Sequence, residues 1–143
     1  MIKPARRCST GLGDPERPRI AADKVAIIVA HPDDETIGCG AQLQRLDNVT
    51  VIIVTNGAPR DGGDAKAHSH ASVDGYAAAR IRELCSAMAL ADVPASRIIE
   101  LGFFDQAAAL HLPDLTRSIY SLINGPQHQC RADACVRRRL SRR

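Results

Sequence analysis

Val25–Gly40 constrains this chain more than any other stretch: Val-Ala-Ile-Ile-Val-Ala-His-Pro-Asp-Asp-Glu-Thr-Ile-Gly-Cys-Gly. Its first six residues are apolar and rich in β-branched side chains, which predicts a strand over 25–30 buried on both faces. His31-Pro32-Asp33-Asp34-Glu35 follows at once, and beyond it Ile37, Ala41, Leu43 and Leu46 recur at roughly helical spacing. A strand, a polar turn and a helix in this order place the turn at the carboxyl end of a central strand. Open α/β sheets hold their ligands there.

The residue types in the turn suggest a chemistry. A water-activating zinc takes nitrogen and carboxylate donors and keeps one position open. A base must stand nearby, because the metal polarises water without accepting its proton. His31 and Asp34 are three apart and can point the same way, whereas Asp33 projects differently and is free to act as base. Pro32 stiffens the turn. The plainer alternative has Asp33 or Asp34 capping the next helix, with Glu35 in its first turn. A histidine joined to three carboxylates directly after a buried strand favours the metal reading.

Val29-Ala30-His31-Pro32-Asp33-Asp34-Glu35, followed by Gly38-Cys39-Gly40, resembles the signature of the PIG-L/LmbE-like family of zinc-dependent de-N-acetylases. Those enzymes remove acetyl from N-acetylglucosamine-type sugars and related amides. The resemblance implies a three-layer, Rossmann-like α/β fold with a mostly parallel sheet, a zinc cofactor and an amino-sugar or related amide substrate. It implies His31 and Asp34 as the first two zinc ligands and Asp33 as the general base. Val54-Thr55-Asn56-Gly57, Arg80–Leu90 and Leu101-Gly102-Phe103-Phe104-Asp105 are similar to later stretches of the same family. By that resemblance Arg80 lies near the site, holding a substrate oxygen or ordering Asp33; a surface ion pair with Glu83 is the alternative. Asp105 follows a strand end, where it either contacts a sugar hydroxyl or caps the next segment.

Composition narrows the partners. Aromatics are 3% of the 143 residues, with no Trp, which removes the stacking platforms of a single-strand or RNA binder. The net charge of +3 is uneven: residues 126–143 hold six Arg against one Asp, so residues 1–125 carry −2. Nucleic-acid binding by the folded part has no electrostatic support. The five Cys are scattered without a C-x-x-C, which fits a reducing, cytoplasmic setting, and Cys39 and Cys85 read as small core residues. No apolar run approaches the ~20 residues of a membrane span.

Along the chain, residues 1–23 read as a disordered or loosely attached lead-in, 24–125 as a partial deacetylase-like domain, and 126–143 as an Arg-rich, disordered, non-family tail. A helix is expected over 36–46, where Gly38 and Gly40 would allow close approach to the sheet. Asp47-Asn48 reads as a turn, 49–55 as a buried strand and 56–75 as a long polar loop beside the crevice. His68 and His70 in that loop are fallback metal ligands. A helix over 76–90, a strand over 97–101 and a helix over 115–123 complete the pattern.

The family continues with a strand leading to an H-x-x-H loop, which supplies the third zinc ligand and an oxyanion-stabilising histidine. Nothing after Pro126 is similar to it, and His128 stands alone. The third ligand is therefore unknown, and the expectation is weak zinc binding with impaired catalysis, or a non-catalytic remnant that binds a partner. A sheet stopped early also invites pairing with another chain through its open edge. A nucleotide-binding reading is disfavoured: Gly38-x-Gly40 lacks the third Gly, and Asp33, Asp34 and Glu35 repel phosphate.

Overall fold

In the computed structural model, which describes residues 18–125, the chain runs β1 (Ile20–Ala21), β2 (Ala26–Val29), α1 (Asp34–Leu43), β3 (Leu46–Asp47), β4 (Thr50–Pro59), α2 (Gly63–Ala67), α3 (Val73–Leu90), β5 (Ile98–Asp105) and α4 (Leu112–Asn124). Short 3₁₀ turns at Ala95–Arg97 and Ala108–His111 precede β5 and α4. β4 is the sheet's axis, paired in parallel with β2 on one side and β5 on the other. β1 and β3 form a second, two-stranded parallel sheet. Strands joined through helices and paired in parallel make this an α/β, Rossmann-like fold.

The main core cluster lies on one face of β4, although Ile52 between its contributors is buried as well. Val51 and Ile53 point into a cluster with Leu43 of α1, Leu84 and Met88 of α3, and Ala22, Leu46, Val49, Ala91 and Val93. Each fully buried aliphatic side chain of this kind contributes roughly 1.5–3 kcal/mol. Ile27 and Val29 of β2 pack against the same cluster. A smaller cluster of Ala58, Ala65, Tyr76 and Ala77 ties the end of β4 to α2 and the start of α3. Among the described residues no helix is long and apolar enough to cross a membrane.

Several expectations are corrected. β2 is an outer strand of the described sheet and not a central one, and its burial alternates, with Ile28 39% exposed on the face turned from the core. An apolar, β-branched run reports strand propensity, whereas depth of burial depends on neighbours supplied elsewhere. The segment 56–75 is not a long loop. β4 continues to Pro59, α2 covers Gly63–Ala67, and α3 starts at Val73, where the Ser72 Oγ accepts the Gly75 N–H at 3.0 Å. Its Gly and polar residues concealed the buried positions Asn56, Ala58 and Ala65.

The glycines of α1 do not serve close approach. A Cβ at Gly38 would meet nothing within 4 Å, and one at Gly40 would touch only the neighbouring Thr36. α1 faces the interior through Glu35 and Leu43, and it kinks at Cys39 (φ −146°, ψ 15°). The end of the lead-in is anchored: Ile20–Ala21 pairs with Leu46–Asp47, Ala22 is fully buried, and Arg19 Nε reaches Asp47 Oδ1 at 2.7 Å. That pairing extends Leu46, expected in the helix, and Asp47, expected in the turn, and leaves Asn48, at φ 63°, to turn the chain. The remaining lead-in and the tail assigned to 126–143 lie outside the described residues.

Candidate active site

Ala30 follows β2 directly, and its carbonyl accepts both the backbone N–H and the hydroxyl of Thr55, each at 2.9 Å. The end of β2 is thus locked to β4 at Thr55, and the His31–Glu35 turn projects from the carboxyl edge of the sheet. Beside it, Gly57 has φ +62°, and a Cβ there would lie 2.8 Å from Pro32 Cδ. Only a glycine adopts that conformation without strain and lets the β4 backbone pass so close to the turn.

Asp33 occupies the position before α1 with φ 141° and ψ −26°, a region that L-residues avoid. Two contacts hold it there. Glu35 Oε2 accepts the Asp33 N–H at 3.1 Å, and Arg80 Nη2 donates to Asp33 Oδ2 at 3.0 Å. The same Arg80 nitrogen also donates to the Pro32 carbonyl. Backbone strain of this kind costs on the order of 1–3 kcal/mol and persists where surroundings over-determine it. The capping alternative does not hold for either aspartate's side chain. Asp33 makes no side-chain cap, and Asp34 Oδ2 turns back to accept the His31 N–H at 2.9 Å.

Glu35 is 1% exposed, an unusual state for a carboxylate. Its second oxygen accepts the Thr36 hydroxyl at 2.7 Å. This residue, read from sequence as a first-turn acid, is a buried brace for Asp33.

The His31 ring sits between two carboxylates. Nδ1 is 3.4 Å from Asp34 Oδ2, and Nε2 is 2.8 Å from Asp105 Oδ1. Two donors about 2.0–2.1 Å from a tetrahedral zinc stand about 3.3 Å from each other, so the His31 Nδ1–Asp34 Oδ2 edge has the spacing and the donor chemistry such an ion needs. A catalytic zinc takes three protein donors, and this pair offers two of suitable type. Among the described residues no set of three His, Cys, Asp or Glu side chains forms an ion-holding group.

Asp105 ends β5 and is brought to His31 from 74 residues away. Asn56, 6% exposed, accepts the Asp105 N–H at 3.3 Å and the Ala58 N–H at 3.1 Å through its Oδ1. Asp105 does not cap the next helical turn, which has no side-chain cap.

Arg80 comes from the middle of α3. It takes Asp33 as its ion-pair partner, in place of the sequence-adjacent Glu83, and its Nη1 donates to the Tyr76 hydroxyl at 3.3 Å. Burial lowers the guanidinium pKa, but the Tyr76 hydrogen bond and the Asp33 charge outweigh it and hold the group above its ordinary value. Asp33, Glu35, Arg80 and Glu83 line a cleft of about 230 Å³ between α1 and α3, together with the apolar Leu84 and Ala87.

His68 and His70 pack around Tyr76, with ring centroids 5.3 Å away in both cases, His68 in a stacked arrangement. His111 lies 6.3 Å from the Phe103 ring. Cys39 packs against the main core, and burial, followed by Glu35, raises its thiol pKa. Three contributors escaped sequence reasoning: Glu35 as a brace, Asn56 as a clamp, and Tyr76. The i, i+4 spacing of Tyr76 and Arg80 is the one local signal for the last of these.

A family model described as PIG-L, GlcNAc-PI de-N-acetylase, matches residues 26–134. No curated protein and no solved structure matches the chain.

Proposed function

The chain belongs to the GlcNAc-PI de-N-acetylase (PIG-L) family, and from that premise we propose that its site hydrolyses an N-acetyl amide on an amino sugar with the help of zinc. His31 and Asp34 would hold the ion. Zinc bound there would supply an acidified water and polarise the acetyl carbonyl.

The chain's own residues do the rest. Asp33 takes the proton of the attacking water and returns it to the amine nitrogen as the C–N bond breaks. Arg80 and Glu35 fix the direction of that carboxylate from two sides, one through the side chain and one through the backbone. Orientation of this kind removes part of the entropic barrier. The cleft beside Asp33 and Arg80 combines apolar and charged lining side chains, which suits a sugar ring with its hydroxyls. One observation carries this reading: Asp33 is a half-exposed carboxylate, strained, uncapped and adjacent to the His31–Asp34 pair.

Two donors in place of three among the described residues imply weak zinc affinity and slow turnover. A non-catalytic member of the same fold is the second reading, favoured by the two-donor set among the described residues. Amine release from an N-acetylglucosamine conjugate separates them, measured with zinc added for the wild type and Asp33→Asn. Zinc-dependent release that falls ~100-fold in Asp33→Asn with zinc content unchanged is expected. Zinc bound at His31 and Asp34 without any amine release establishes the non-catalytic reading.

A further inference from the structure

We propose that Asp105 is a positioning residue for the metal site: it accepts the Nε2–H of His31, which fixes the tautomer and turns the Nδ1 lone pair toward the edge shared with Asp34. This rests on the assignment of His31 and Asp34 as metal donors and gives Asp105 a role other than the helix cap, which the structure does not show.

The two sides of the His31 ring have different spacings. Nε2 to Asp105 Oδ1, at 2.8 Å, is a hydrogen-bond length. Nδ1 to Asp34 Oδ2, at 3.4 Å, is beyond a good hydrogen bond and matches the roughly 3.3 Å between two donors of a tetrahedral zinc. A neutral imidazole has one N–H and one lone pair. Placing the proton on Nε2 satisfies the short contact and leaves the lone pair on the side with metal spacing. The opposite tautomer would set a lone pair against a carboxylate at 2.8 Å. Asp34 is already oriented for sharing, because its Oδ2 takes the His31 backbone N–H at 2.9 Å.

The Asp105 carboxylate is built to hold still. Its side chain is 15% exposed, against 40% for His31. Its Oδ1 also accepts the Gln106 N–H at 2.7 Å, and its own N–H is clamped by the buried Asn56. The register between β4 and β5 slips between Ile53 and Thr55 and again before Pro59, after which Pro59 aligns with Asp105. Those irregularities at the carboxyl edge set the β5 terminus beside the turn that follows β2. A carboxylate hydrogen-bonded behind a metal-binding histidine orients the ring and raises its basicity.

The test measures zinc affinity by competition with a chromogenic chelator, and the His31 tautomer by ¹⁵N NMR of the metal-free protein. Wild type, Asp105→Ala, Asp105→Asn and His31→Ala are compared, each checked for folding by circular dichroism. Zinc affinity should fall ~10–100-fold in Asp105→Ala and less in Asp105→Asn, whose amide oxygen still accepts the proton. The wild-type His31 should show the Nε2–H tautomer, and Asp105→Ala a mixture. If Asp105→Ala binds zinc like wild type while His31→Ala loses it, the positioning role is wrong and the metal assignment stands. If Asp105→Ala abolishes binding as fully as His31→Ala, Asp105 is a direct ligand instead. Unchanged affinity in His31→Ala removes the metal assignment itself, and this role with it.

Discussion

Arg80 Nη2 stands 3.0 Å from Asp33 Oδ2 across 47 residues of chain, and the same guanidinium is bonded to the Pro32 carbonyl and the Tyr76 hydroxyl. One side chain therefore fastens α3 to the turn that precedes α1. It bonds the backbone at one residue and the carboxylate of the next, so the strained Asp33 conformation and the direction of its side chain depend on a common support.

Arg80→Lys retains the charge but cannot hold three acceptors with a planar fork. Its turnover should fall ~10–100-fold, because a misdirected base misses the water it must deprotonate. Zinc affinity should stay within about twofold of wild type, since Arg80 touches neither His31 nor Asp34. Steady-state kinetics beside a chelator competition decide this. Parallel loss of both properties would mean that Arg80 supports the whole turn and not Asp33 alone.

Tyr76→Phe keeps the ring that His68 stacks on and deletes only the hydroxyl that Arg80 Nη1 uses. Stability should drop by about 0.5–1.5 kcal/mol, the usual worth of one hydrogen bond. Urea denaturation measures it, and a change well above that range would show that the hydroxyl carries more than this bond.

Gly57 and Gly38 should respond in opposite directions to alanine. At Gly57 a Cβ meets φ +62° and Pro32 Cδ at 2.8 Å, so Gly57→Ala should destabilise by about 1–3 kcal/mol and disturb zinc binding with it. At Gly38 the space is open within a helix, so Gly38→Ala should stabilise by about 0.5–1 kcal/mol. Melting temperatures of the two variants provide the comparison.

Cys39 and Cys85 are both half-buried with thiol pKa values raised, by burial first and then by Glu35 and Glu100 respectively. Only the thiolate is alkylated, and a raised pKa means a smaller thiolate fraction at any pH below it. At pH 8 both should react with iodoacetamide more slowly than a free cysteine, and their rates should keep rising at pH values where the free thiol has levelled off. Site-resolved mass spectrometry of a labelling time course reads this directly.

The strands β2, β4 and β5, the helices α1, α3 and α4 and the clustering of polar groups in the turn were legible in the residues because they arise from neighbours in the chain. The β-branched run before His31 makes a strand by its own propensity, the apolar stripe of Val73–Leu90 makes an amphipathic helix, and His31, Asp33 and Asp34 are close in space because they are close in sequence. Partnerships across the chain had no local signature, and only the family resemblance pointed Arg80 toward Asp33. Glu83 lies one turn from Arg80, yet Asp33 wins, because the packing of α3 on the sheet aims the guanidinium at the turn. Asp105 was visible as a polar residue at a strand end, but its partner was not, since the Asn56 clamp and the register slips between β4 and β5 have no local signature. Burial followed the same division: Val25–Ala30 reads as a core strand, but a strand's depth is decided by what packs on each side of it. Local sequence thus determined which groups could do chemistry. Tertiary packing decided which of them hold one another in place, because contacts between distant residues depend on where whole elements dock.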